Sequence, residues 1–140
     1  MKALPILSLS LALLAPFAYA QELHVTLNGV QHDNGQVAVA VYANPKAFRK
    51  DDQAFAKQKA KAEKGAVTLV FNDLPPGRYA VLAYHDENDN GEMDRRFGMI
   101  PTEGYGLSNN PKVMGPPSFE DSAFDVTADE PARVTLEMRY

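Results

Sequence analysis

An acidic stretch from Asp86 to Asp94, with the sequence DENDNGEMD, carries the residues of this chain best suited to chemistry. It holds five acidic side chains, two Asn and one Gly in nine residues. Oxygen atoms at alternate positions of a curled loop can point at one centre, and a Gly permits the sharp turn that follows them. The pattern matches the first half of the calcium-loop motif D-x-[DN]-x-[DN]-G. The candidate ligands are Asp86, Asn88, Asn90, Glu92 through its backbone carbonyl, and Asp94.

The second half of the calcium motif is missing. Its twelfth position should supply a bidentate Glu, and here that position is Phe97. A further carboxylate must come from elsewhere, and Glu103 is the nearest candidate. With so few charged ligands, we expect a Kd for Ca²⁺ on the order of 10⁻⁴–10⁻³ M. The alternative is a solvated turn, in which Arg95 and Arg96 offset the acidic charge.

The histidines offer a second kind of chemistry. They show no zinc-type spacing and the chain has no Cys, so the sequence predicts no dedicated zinc site. His85 directly precedes the acidic stretch. Together with Asp86 and Glu103 it defines an enzyme alternative, in which His85 acts as a base in a cleft formed by the loop. We assign no catalytic residue, and no cofactor other than calcium.

Strands must position these residues, because apolar side chains alternate along most of the chain. Residues 22–42 predict a hairpin with an Asn34-Gly35 turn. Residues 67–71 predict another strand, and residues 124–126 predict a partner for the last strand, 133–140. Asn44-Pro45 predicts the cap of a short turn from which Phe48 packs inward. About seven short strands without a long helix indicate an all-β protein, an antiparallel immunoglobulin-like β-sandwich.

Three segments have less regular patterns. Residues 79–84 are apolar on both faces, which predicts a central strand covered on both sides that leads into the acidic stretch. Residues 54–63 fit a helix by composition, but their alternation of small and charged residues favours an edge strand. Residues 86–118 contain no convincing strand. Because they are not low in apolar and aromatic groups, we expect one long ordered loop.

The N-terminus has the pattern of a secretory signal peptide. Lys2 precedes an apolar run, and the segment ends with Ala18-Tyr19-Ala20, a small-x-small cleavage signal. The run is short for a membrane span of roughly 20 residues. The sequence therefore predicts a signal peptide at 1–20, a single domain at 21–140, periplasmic or secreted localisation, and no membrane anchor after cleavage.

The charge of the chain narrows the choice of partner. The formal net charge is −4 over the full sequence, and loss of Lys2 makes it more negative. An acidic domain is a poor match for nucleic acid or for an anionic membrane surface. We therefore expect a protein or a small molecule as partner, and no nucleic acid.

A set of residues in and after the acidic stretch forms a recognisable pattern. The set comprises His85-Asp86-Glu87-Asn88, Asn90-Gly91, Asp94, Gly98, Ile100-Pro101, Glu103-Gly104-Tyr105-Gly106, Ser108-Asn109-Asn110, Pro117 and Phe119. Together these residues resemble the bacterial family called domain of unknown function 2141, and the resemblance implies small exported proteins without an established activity. The stretch from Leu74 to Gly77, LPPG, is also similar to transthyretin-like sandwich modules.

Three functions remain open from the sequence. The first is an exported, non-enzymatic binding or interaction module with a calcium-binding loop, and it is the one we favour. The second is the small enzyme that uses His85, Asp86 and Glu103. The third is an assembly role, in which an open sheet edge pairs with a strand of a partner.

Overall fold

The computed structural model of the protein describes residues 20–140. It is an all-β structure with one turn of 3-10 helix at Asp51–Gln53 and one turn of α-helix, α1, at Phe119–Ser122. The strands are β1 (Gln21–Val30), β2 (Gln36–Tyr42), β3 (Ala56–Lys61), β4 (Gly65–Leu74), β5 (Gly77–Asp86), β6 (Arg95–Arg96), β7 (Ile100–Pro101), β8 (Tyr105–Leu107), β9 (Phe124–Val126) and β10 (Ala132–Glu137).

The strands form two main sheets. The first has the order β10-β1-β4, and the second has the order β3-β2-β5-β8, with β9 beside β5. β6 and β7 form a small separate ribbon. Pairing is antiparallel except between β1 and β10, which run parallel. The predicted antiparallel sheets are therefore confirmed, with one parallel pair as an exception.

One apolar cluster joins the two main sheets. The alternating residues of β1, among them Leu23, Val25 and Leu27, are fully buried in it. Val81 of β5 and Leu136 of β10 belong to the same cluster. Because each sheet contributes one apolar face, burial of these side chains holds the sheets together.

A second apolar cluster covers the other face of β5. Phe48 and Phe119 pack edge to face with ring centroids 6.0 Å apart, and Ala80 of β5 lies in the same cluster. The Asn44 side chain accepts a hydrogen bond from the backbone N–H of Ala47 at 2.9 Å, so the predicted cap is confirmed and buries Phe48. This cluster explains why β5 is apolar on both faces.

The predicted hairpin at residues 22–42 is wrong. β1 pairs with β4 and β10, whereas β2 pairs with β3 and β5, so the Asn34-Gly35 turn passes from one sheet to the other. The turn lies instead against the end of β5, where the His85 side chain donates to the Asn34 carbonyl at 2.6 Å, and against the residue after β3, where the backbone N–H of Ala62 donates to the Gly35 carbonyl at 3.2 Å. Long-range contacts of the turn thus override its local hairpin signal.

The predicted pairing of residues 124–126 with the last strand is also wrong. β9 pairs with the start of β5, and β10 pairs with β1. The six-residue register from Leu23 opposite Ala132 to Asn28 opposite Glu137 occupies this edge of β1. The last strand therefore forms its longer pairing with β1, in place of the predicted short pairing with residues 124–126.

The edge strand predicted at 54–63 is confirmed as β3, which lies at the edge of the second sheet.

The segment 86–118 differs from the prediction of one long loop without strands, because it contains β6, β7 and β8. β8 joins β5 in the second sheet through Leu82 opposite Leu107. These three short strands raise the number from about seven to ten.

The predicted signal peptide lies outside the described residues, apart from Ala20. Within residues 20–140, no helix has the length and apolar character needed to cross a membrane.

Candidate functional site

The acidic loop, residues 86–94, curls around the side chain of Asp86 at the end of β5. This carboxylate is fully buried. One of its oxygens accepts from the backbone N–H of Asn90 at 3.1 Å. The other accepts from the backbone N–H of Gly91 at 2.9 Å and from the Gln36 side chain at 3.1 Å. Gly91 has φ +80, a conformation that favours glycine. Asp86 therefore shapes the loop from its first position.

Asp86 is held in its charged form. Burial alone raises the pKa of a carboxyl group. Here the hydrogen bonds from Gln36, Gly91 and Asn90, with the positive charge of Lys59, hold the pKa of Asp86 below its usual value. A depressed pKa stabilises the fold above the unfolded-state pKa, and this contribution is lost as the pH falls through the folded-state pKa. At neutral pH the base of the loop therefore carries a buried negative charge.

Asp94 gathers the two Asn side chains of the loop. Its carboxylate accepts from the amide nitrogen of Asn88 at 2.6 Å and from that of Asn90 at 2.8 Å. Rotation of each amide about its terminal bond would present its oxygen in place of its nitrogen. These hydrogen bonds therefore hold the side chains of Asn88, Asn90 and Asp94 next to one another.

Glu103 ties the two ends of the acidic loop together. Its carboxylate accepts from the backbone N–H of Glu87 at 2.6 Å and from that of Asp94 at 2.8 Å, and the side chain is buried. The structure thus brings the predicted extra carboxylate to the loop. Glu92 stays exposed, and its backbone N–H donates to the Asn90 side chain at 3.0 Å.

The negative charge of this region has few nearby cations. Within residues 20–140, neither Asp86, Asp94 nor Glu103 has a Lys, Arg or His nitrogen within 4.0 Å. Arg95 and Arg96 are exposed and form no ion pair among residues 20–140, so they do not offset the charge of the acidic loop by direct contact.

The negative charge of this region also acts on Tyr84. Burial raises the pKa of Tyr84 to about 12, and the charges of Asp86, Asp51, Glu103 and Glu92 add to the shift.

A hydrogen-bond network centred on His85 lies beside the acidic loop. His85 is fully buried, and its Nε2 donates to the Asn34 carbonyl at 2.6 Å. Its Nδ1 pairs with the Tyr140 hydroxyl at 2.7 Å. The backbone N–H of Asn34 donates to His32 Nδ1 at 3.3 Å, so the Nε2 of His32 donates to Glu87 at 2.6 Å. This chain of hydrogen bonds locks the turn before β2 onto the end of β5.

His32, His85 and Glu87 also form a group that sequence spacing misses. One possible ligand atom from each lies within 4.8 Å of the others, and this is the one such group of three in the described residues. The carboxylates of Asp86, Asp94 and Glu103 do not come as close together. No local spacing could reveal the His group, because only the pairing of Val37 with His85 across β2 and β5 brings its parts together. Both ring nitrogens of His85 already have partners, so the group serves the hydrogen-bond network.

The fold and the site together define a class of protein: an all-β domain that fixes a long surface segment with buried carboxylates. The family model described as "Uncharacterized protein conserved in bacteria (DUF2141)" matches residues 25–135. The chain belongs to this family, and the resemblance inferred from the sequence is confirmed. Searches of curated proteins and of solved structures return no match to this chain.

Proposed function

We propose that this protein is an exported, non-enzymatic binding module whose acidic loop takes up calcium weakly. Its two sheets with one shared core support an immunoglobulin-like or transthyretin-like β-sandwich as the finer description of the fold. The signal-peptide pattern supports export to the periplasm or beyond it. The loop then acts as a rigid support for the binding surface beside it.

The burial of Asp86 and Glu103 without an ion pair among residues 20–140 is the observation that carries the calcium proposal. Buried charges are normally paired or coordinate a metal. Here hydrogen bonds satisfy the two carboxylates, but their charge, together with that of Asp94, is not neutralised by any ion pair among residues 20–140. A hard divalent cation with oxygen ligands complements such a site.

The burial of the same residues favours a binding module over an enzyme. A general base must reach a substrate proton directly or through one water. His85 and Asp86 are fully buried and Glu103 nearly so, and both ring nitrogens of His85 are engaged. Neither of the two cavities described in the molecule is lined by any of the three.

Calcium is expected to raise the melting temperature of the wild-type protein. A ligand that binds only the folded state stabilises it by RT ln(1 + [L]/Kd), which is about 1.4 kcal/mol at ten times Kd. Thermal unfolding with 10 mM Ca²⁺, about ten times the weaker end of the expected Kd range, measures the shift. Asp94→Asn and Glu103→Gln should each reduce or abolish it.

Asp89→Asn is the matched control for the calcium experiment. It makes the same change of charge within the acidic loop, at an exposed residue outside the motif positions, and should leave the calcium shift intact. An absent shift in the wild type, or equal loss in Asp89→Asn and Asp94→Asn, would contradict calcium binding by the motif.

Export is expected to remove residues 1–20. The small-x-small motif at residues 18–20 places the cleavage after Ala20. Intact-mass measurement of the protein purified from its native host should give a chain that begins at Gln21. A mature chain that still begins at Met1 would contradict export by cleavage.

A further inference from the structure

An apolar groove lies on the outer face of the second sheet, away from the core shared by the two sheets. Its volume is about 510 Å³, within the roughly 300–1,000 Å³ typical of ligand pockets. Leu82 of β5 and Tyr105 of β8 lie on its floor, where both pack against the second apolar cluster and stay only partly buried. The sheet therefore provides a concave, apolar base.

Two surface segments form the walls of this groove. One is the β6–β7 ribbon with its connection, which contributes Met99 and Ile100. The other is the segment 113–117, which contributes Val113. Met99 is 76% exposed and Ile100 is 57% exposed. Flexible, polarisable Met side chains adapt to apolar ligands of varied shape, and large exposed apolar groups around a groove mark a binding site.

The charge of the groove is opposite to that of the protein. Among the described residues that line the groove, Arg49 and Arg95 are the only charged ones, in a chain whose formal net charge is −4. Within residues 20–140, neither guanidinium has a carboxylate within 4.0 Å. Both side chains are therefore available for charge-assisted hydrogen bonds to an anionic group, which Arg can make in bidentate form.

We infer that this groove binds a free anionic amphiphile, a molecule with one alkyl chain and a carboxylate head. The alkyl chain lies over Leu82 and Tyr105 between the two walls, and the head pairs with Arg49 and Arg95. A free molecule fits better than a membrane surface. The apolar floor is recessed between walls, and the net negative charge of the domain opposes approach to an anionic bilayer.

The inference rests on the proposed function in one respect, because it names the ligand class of the binding module. It does not require calcium. The Glu103 carboxylate and the Asp94 backbone hold the acidic loop immediately before Arg95, so a bound cation would stiffen one wall of the groove.

Isothermal titration calorimetry with two probes of similar chain length tests the inference. Decanoate and decyltrimethylammonium carry linear alkyl chains that differ by a single carbon, and their heads have opposite charge. The wild-type protein should bind decanoate saturably and about tenfold more tightly than the cation, as expected for a charge-assisted contact. Equal affinity for the two probes, or no binding of decanoate, would overturn the inference.

Variants identify the site. The double variant Arg49→Gln with Arg95→Gln should weaken decanoate binding about tenfold. Ile100→Asp should also weaken it, because the alkyl chain would then lie against a charged carboxylate and remove its hydration. Arg133→Gln, an exposed Arg on β10 in the other sheet, is the matched control and should bind as the wild type does. Decanoate affinity that is unchanged in the double variant and in Ile100→Asp would overturn the assignment.

Two further measurements distinguish binding of a free amphiphile from binding to a membrane surface and from binding of calcium. Sedimentation with phosphatidylglycerol vesicles, in the absence of saturable decanoate binding, would assign the groove to a membrane surface and overturn the inference. A calcium shift without decanoate binding would overturn the ligand class alone. Decanoate binding without a calcium shift would support the ligand class and remove only the cation from the proposed function.

Discussion

Replacement of Gly35 by Ala is expected to lower the free energy of unfolding by about 2–6 kcal/mol, since strain and overpacking each cost about 1–3 kcal/mol. Gly35 has φ +70, and a Cβ at this position would overlap the backbone oxygen of Asp86 and lie 2.9 Å from the carbonyl carbon of Glu87. These neighbours are backbone atoms, which cannot rotate away. The turn would have to separate from β5, and the hydrogen bond from His85 to Asn34 would break with it.

Gly98→Ala is the matched control for Gly35→Ala. Gly98 has φ +68, but a Cβ there meets no atom within 4 Å. The strain of the left-handed conformation alone costs about 1–2 kcal/mol. Urea unfolding of the two variants therefore separates the clash from the strain. Equal losses would mean that the turn does not press against the end of β5 as the structure shows.

Truncation of Leu136 to Ala is expected to lower the free energy of unfolding by about 2–5 kcal/mol, the range for large-to-small changes in a core. Leu136 is fully buried in the cluster that joins the two sheets, beside Leu27 in the parallel pair of β1 and β10. The cavity would lie between the sheets, where neither backbone can relax easily. Denaturant unfolding monitored by circular dichroism gives the loss.

Two other substitutions calibrate the Leu136 result. Leu82→Ala should cost less, because Leu82 lies on the outer face of the second sheet and is only half-buried. Lys59→Ala, on the exposed side of β3, should change the stability by no more than about 0.5 kcal/mol. A loss for Leu136→Ala no larger than that for Lys59→Ala would contradict the shared core.

Local sequence patterns were enough for several parts of the structure. The alternation at the C-terminus defines β10, and the doubly apolar stretch at 79–84 defines the central strand β5. The Asp-x-Asn-x-Asn-Gly spacing identified a curled acidic loop, and Glu103 was found from its proximity in sequence. Each of these features depends on residues that are close in the chain, so spacing and residue type were sufficient.

Long-range packing decided the rest. The Asn34-Gly35 turn carries a hairpin signal, yet it connects two sheets, because β1 gains its partners in β4 and β10 and β2 gains its partners in β3 and β5. The network that joins the buried His85 to Asn34 and Tyr140 connects positions far apart in sequence, and no local pattern encodes it. Which strands pair depends on the total apolar area that the whole chain can bury, and only the tertiary structure determines that sum.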